Sequence, residues 1–127
     1  LCKHNAGRSQ MALGWVKHLA GDRAVAMSGG SEPAADVNPA AVAAMAEVGI
    51  DIAGEQPKRW TDDMARAADV IVTMGCGDEC PVYPGTRRED WELDDPAGMG
   101  VEGVRPIRDQ IADRVRRLLD ELGVPRG

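Results

Sequence analysis

A chain of 127 residues suits one domain with a single core, and its balance of 43% hydrophobic and 28% charged residues excludes a disordered polymer. The net charge of −6 and a pI near 4.8 argue against nucleic acid and anionic membranes as partners, and no apolar run approaches the roughly 20 residues that span a bilayer. Any oxyanion site must therefore be local, built from backbone N–H groups and Arg against the overall field.

With three Trp, one Tyr and no Phe, the core falls to Ala, Val, Ile, Leu and Met. Met11, Ala12, Trp15, Val16 and Leu19 recur at helical spacing and predict a helix over 9–20, ended by Gly21. An apolar stretch over 24–28, closed by Gly29-Gly30, predicts a short strand. Asn38 then caps a helix with Pro39 at its first position; Val42, Met45, Ala46 and Val48 follow, and Gly49 stops it. Thr61 caps a short helix reaching Ala67, with Asp62 and Asp63 in its first turn. The β-branched run in 69–74 predicts a strand buried on both faces.

Residues 75–100, rich in Gly, Pro and Asp, read as loop. Val104, Ile107, Ile111, Val115, Leu118 and Leu122 share one face of a helix over 104–122, in which Pro106 is tolerated because it falls in the first turn. Without repeat or linker, residues 1–127 read as one α/β domain, a three-layer sandwich with a small central parallel sheet flanked by helices. Chemistry at Cys2 needs a strand leading into it, and only Leu1 precedes it. An apolar strand of about five residues, from a fused upstream segment or a strand-donating partner, is expected to complete the sheet; without it the chain is expected to be unstable.

Cys2-Lys3-His4-Asn5-Ala6-Gly7-Arg8-Ser9 places Cys, five residues, then Arg directly ahead of a helix. Backbone N–H groups of such a loop form a nest for a tetrahedral oxyanion, and the helix N-terminus adds roughly half a positive charge. The Arg8 fork grips two oxygens. The same field is expected to lower the Cys2 thiol from its free value of about 8.5, giving a nucleophile. Ser9 has a hydroxyl to offer that sulfur, and Gly7 allows torsions other residues resist. The substrate contacts expected are Lys3, His4, Asn5, Ala6, Gly7, Arg8 and Ser9.

The run Asn5-Ala6-Gly7-Arg8-Ser9-Gln10-Met11-Ala12 resembles arsenate reductases of the low-molecular-weight protein tyrosine phosphatase fold. The likeness continues through Ser28-Gly29-Gly30, Asn38-Pro39, Val72-Thr73-Met74-Gly75-Cys76, Trp91, Asp94-Asp95-Pro96-Ala97-Gly98 and Val104-Arg105-Pro106-Ile107-Arg108-Asp109. The resemblance implies that Cys2 attacks arsenate, Cys76 attacks Cys2 to release arsenite, and Cys80 moves the disulfide to Cys76–Cys80. It also implies that no cofactor is bound and that an external thiol protein of the thioredoxin type resets the enzyme, with mycothiol and mycoredoxin as the other branch. Gly7 stands where many members carry a further Cys, and Leu13 where those with a potassium site carry an acid. Arsenate is the expected ligand, with phosphate or sulfate as mimics.

Cys76-x3-Cys80 also fits zinc spacing, with His4 and His18 as further donors, but no second paired motif exists and no metal is expected. An odd cysteine count disfavours a disulfide framework and fits a reducing, cytoplasmic setting. Asp94-Asp95-Pro96 reads as a turn. The resemblance assigns Asp95 as the acid that protonates the departing oxygen, its pKa expected to rise by repulsion from Asp94. Trp15 and Trp91 read as packing residues, and Arg116-Arg117 as a solvated mixed-charge face. The alternative activity is a tyrosine phosphatase working through a Cys2 phospho-enzyme. Against it, that family tends to carry a Tyr where Ala97 stands. A phosphate- or arsenate-binding regulatory module is a third reading.

Overall fold

The computed structural model describes residues 1–2, 4–74 and 85–124. Its elements run α1 (Arg8–Ala20), a 3-10 turn (Gly21–Arg23), α2 (Pro39–Glu47), α3 (Asp62–Ala67), β1 (Val70–Thr73), β2 (Arg87–Asp90) and α4 (Val101–Leu122). Caps explain where three helices begin and end. The Asn38 side chain accepts the Ala40 N–H at 2.9 Å, with Pro39 opening α2. Thr61 Oγ1 accepts from Met64 N at 3.2 Å and opens α3. Gly123, at φ 71°, closes α4 in the left-handed conformation.

α4 buries Val104, Ile107, Ile111, Val115, Leu118 and Leu119 against α1 and α2. Arg108 ties the end of α2 to α4, donating to the Ala44 carbonyl at 2.9 Å and to Glu47 at 2.8 Å; Arg105 adds a 2.6 Å bond to Glu47. These guanidinium groups sit where the last carbonyls of α2 carry negative charge.

The sheet is parallel and small. β1 pairs with β2 from Val70↔Arg87 to Thr73↔Asp90. On the other flank of β1, the Leu1 amino group donates to Val72 O at 2.6 Å and the Leu1 carbonyl accepts from Met74 N at 2.7 Å. Cys2 bridges to Gly30 and Gly30 to Arg59, both parallel. The rungs therefore run Arg59, Gly30, Cys2, β1, β2, flanked by helices, and Cys2 stands mid-sheet. Close approach at Gly29 permits this: a Cβ there would lie 2.8 Å from the Trp60 backbone.

Four expectations are corrected. Residues 24–28 form no strand among the described residues; they run unpaired along the surface, with Val25 91% exposed, because no neighbouring strand meets them. β1 is buried on one face only, Ile71 and Thr73 inward and Val70 and Val72 half-buried. β2 arises inside the segment read as loop: Arg87-Arg88-Glu89-Asp90 has no apolar pattern and is strand because β1 offers its edge. α4 begins at Val101, so Pro106 lies in the second turn, on its exposed side.

Beside Leu1 lies a groove of about 830 Å³ walled by apolar side chains of α1, α3 and α4 and by residues 24–28. The Leu1 ammonium, buried at this end, is held down to about 6 from 8.0 by desolvation, against the opposing pull of Cys2.

Candidate active site

Cys2 leaves the sheet and the chain turns directly into the loop that ends in α1. Asn5 makes that turn possible at φ 50°, a left-handed conformation that Asn tolerates better than most residues. The loop's carbonyls from His4 to Gly7 are all engaged. His4 O accepts from Ala34 N at 2.9 Å, Ala6 O from Asn38 N at 2.8 Å, and Gly7 O from Met11 N at 2.9 Å. Asn5 O accepts from Gln10 Nε2 at 3.1 Å. No described residue accepts from the N–H groups of His4, Asn5, Ala6 or Gly7. Carbonyls held back and amides left open make an anion nest at the N-terminus of a 13-residue helix.

A chain of hydrogen bonds beneath the loop starts from a fixed donor. The Lys58 N–H can only donate, and does so to Asn5 Oδ1 at 3.0 Å. Asn5 Nδ2 must then donate, and Ser9 Oγ receives it at 2.7 Å. Ser9 keeps its own proton for Cys2 Sγ, 2.9 Å away, and is the donor of that pair whenever the sulfur is ionised. A thiolate accepts a stronger hydrogen bond at the end of such a chain than a thiol does. Cys2, Asn5 and Ser9 are almost wholly buried, which shields these bonds from water.

Arg8, 8% exposed, closes the nest; its Nη1 donates to Leu93 O at 3.4 Å and its Nη2 stands 3.8 Å from Asp95 Oδ2. Asp95 thus faces a guanidinium as well as following Asp94. Its Oδ1 accepts from Ala97 N at 3.0 Å, so the turn reading of this segment holds alongside its place at the site. Pro96 packs on Gly7: a Cβ at position 7 would lie 2.6 Å from Pro96 Cγ. Asn38 joins the two loops, its N–H on Ala6 O and its Nδ2 donating to Pro96 O at 3.4 Å. Together Cys2, His4, Ala6, Gly7, Arg8, Asn38, Asp95, Pro96 and Ala97 enclose a cavity of about 40 Å³.

The structure therefore gathers Cys2, Asn5, Ala6, Gly7, Arg8, Ser9 and Asp95. His4 is exposed at the rim, its Nδ1 3.0 Å from Glu32 O. Lys3, Cys76 and Cys80 lie outside the described residues. Among the described residues no three His, Cys, Asp or Glu side chains gather to hold a metal, and no helix is long and apolar enough to cross a membrane. Trp15 and Trp91 are buried packing residues, and Arg116 lies 5.5 Å over the Trp15 ring while pairing with Asp113. Sequence reasoning missed Asn38, Gln10 and the Lys58 amide as supports of the loop. For Gln10 a signal existed: an amide side chain directly ahead of the buried apolar run Met11-Ala12-Leu13 of α1.

Comparison with known proteins agrees with this geometry. The sequence profile of the family described as low molecular weight phosphotyrosine protein phosphatase matches residues 1–125. A glutaredoxin arsenate reductase of Synechocystis is 38% identical over 125 residues, covering 96% of this chain and 95% of its own. An arsenate reductase solved in a phosphate-binding state superposes with a TM-score of 0.83 at 38% identity, over 94% of this chain and 93% of its own. A thioredoxin-dependent arsenate reductase of Corynebacterium glutamicum superposes with a TM-score of 0.82 at 40% identity; it covers 96% of this chain, which spans only 58% of that longer one. The chain belongs to the low molecular weight phosphotyrosine protein phosphatase family, on the side of its arsenate reductases.

Proposed function

We propose that this chain reduces arsenate to arsenite. The observation that carries the proposal is the hydrogen-bond chain that reaches Cys2 Sγ beneath a loop of open amides. The nest and Arg8 hold the oxyanion while the Cys2 thiolate attacks arsenic. An oxygen leaves as water, protonated by Asp95, and a Cys2–arsenic bond remains. Cys76 thiolate then attacks Cys2 Sγ. The sulfur–arsenic bond breaks with its electron pair kept by arsenic, which leaves as arsenite, and a Cys2–Cys76 disulfide forms. Cys80 attacks Cys76, freeing Cys2, and an external dithiol protein of the thioredoxin type reduces the Cys76–Cys80 disulfide. Mycothiol with mycoredoxin is the other reductant to test, and a cytoplasmic setting supplies either.

Phosphate monoester hydrolysis shares the first step. The cavity of about 40 Å³, with Ala6, Ala97 and Asn38 at its rim and no Phe, Tyr or Trp wall among the described residues, suits a bare oxyanion better than a phosphotyrosine ring.

The test is arsenate-dependent NADPH oxidation with thioredoxin and its reductase, run beside hydrolysis of an aryl phosphate. Wild type turns over repeatedly, Cys76→Ser and Cys80→Ser stop after at most one turnover, and Cys2→Ser is inactive. Full multiple turnover by both resolving-cysteine variants overturns the relay. Aryl phosphate hydrolysis without arsenate reduction selects the phosphatase reading.

A further inference from the structure

Gln10 is wholly buried, yet its amide is poorly served. Its Nε2 faces three acceptors: Asn5 O at 3.1 Å, Asn5 Oδ1 at 3.0 Å and Gln56 O at 3.5 Å. Three acceptors about one atom leave no doubt that it is the nitrogen. Its Oε1, in consequence, has no hydrogen-bond partner among the described residues. An apolar side chain of the same length would spare that carbonyl and leave Asn5 O without its donor instead, so the glutamine's value lies in what its nitrogen holds. What Nε2 touches does explain it. Asn5 is the one non-glycine residue with positive φ among those described, and both its carbonyls are held by Gln10.

We infer that Gln10 is a positioning residue: it holds Asn5 in its left-handed turn with Nδ2 aimed at Ser9, and so keeps Ser9 donating to the Cys2 thiolate. Gln10 touches neither sulfur nor the cavity. Its influence passes through Asn5, then Ser9, over three hydrogen bonds. The inference rests on Cys2 being the nucleophile proposed above, but not on arsenate being the substrate.

The test reads the thiol itself. The full chain and its Gln10→Met variant are alkylated with iodoacetamide at neutral and at alkaline pH, and the Cys2 peptide is quantified by mass spectrometry. The variant is expected to melt a few degrees below wild type, still folded at assay temperature, and to be alkylated about tenfold more slowly at neutral pH, with equal rates at alkaline pH where the thiol is fully ionised. Equal neutral rates overturn the inference. So does equal slowing at both pH values, which marks altered access rather than ionisation. Should Gln10→Met not fold, the isotope-labelled wild type decides: the Gln10 side-chain amide protons shift along the ionisation curve of Cys2, and protons that stay flat through it overturn the inference. Slowed alkylation in a chain that does not reduce arsenate leaves this inference standing and removes only the proposed function.

Discussion

On the loop side of Cys2 every carbonyl from His4 to Gly7 is engaged and the sulfur ends a directed chain of hydrogen bonds. On the Leu1 side the surroundings are apolar and open: a groove of about 830 Å³, Val25 and Met27 exposed along it, and a buried ammonium at its end. The Ser28 hydroxyl and the Trp60 indole N–H, both lining that groove, have no partner among the described residues. Two adjacent residues thus border a loop whose carbonyls are held and a groove whose polar atoms lack partners among the described residues. The contrast shows that a polar loop can close on itself over a short stretch of chain, whereas an apolar sheet face needs strand-length neighbours to be covered.

The largest expected effect tests the open side. Acetylating the Leu1 amino group removes its buried charge and should raise Tm. In the chain beginning at Leu1, the amino group binds fewer protons folded than unfolded between about pH 6 and 8. The penalty is complete below about pH 6 and gone above 8, so stability climbs across that window by about 3 kcal/mol. Thermal melts across this range should show the climb with the free amine and lose it in the acetylated chain; a slope common to both breaks the contrast.

Next comes the satisfied side. Ser9→Ala strands Asn5 Nδ2 without its acceptor and deprives the sulfur of its donor, which costs about 2 kcal/mol and slows Cys2 alkylation at neutral pH roughly thirtyfold. Stopped-flow alkylation measures it, and an unchanged rate means that the hydrogen-bond chain has no hold on the thiol. A smaller effect comes from Gly7→Ala, whose Cβ displaces Pro96 and with it Asp95. Arsenate turnover should fall about tenfold with alkylation untouched, since geometry at the acid is disturbed while the thiol is not. Loss of both together sinks the separation of the two loops.

The smallest effect lies far from Cys2. The Arg105 hydrogen bond, with Arg108 beside it, holds the Glu47 carboxyl at about 2 instead of 4.5. That support is full above pH 4.5 and fades as pH falls toward 2, so Glu47→Gln should lower Tm slightly above pH 4.5, leave the acid end nearly unchanged, and so flatten the acid side of the profile of Tm against pH.

Much of this was legible from residue order. The helices follow from periodicity and from Asn38, Pro39 and Thr61 as caps, and the anion loop from the Cys2-to-Arg8 spacing, because these depend on neighbours within a few residues. Arg87-Arg88-Glu89-Asp90 was not legible, since its strand state comes from the edge of β1 rather than from its own pattern. Residues 24–28 failed in the opposite sense: they have strand composition and no strand to pair with.

The sequence by itself determined where helices start, which sulfur sits ahead of a helix, and which arginine accompanies it, because capping and loop geometry are short-range. Only the tertiary structure decided that Lys58, Asn38, Gln10 and Pro96 converge on that loop, and that Leu1 and Cys2 lie mid-sheet. The physical reason is that a hydrogen bond depends on distance and direction in space, and chain separation says nothing of either until the core has packed.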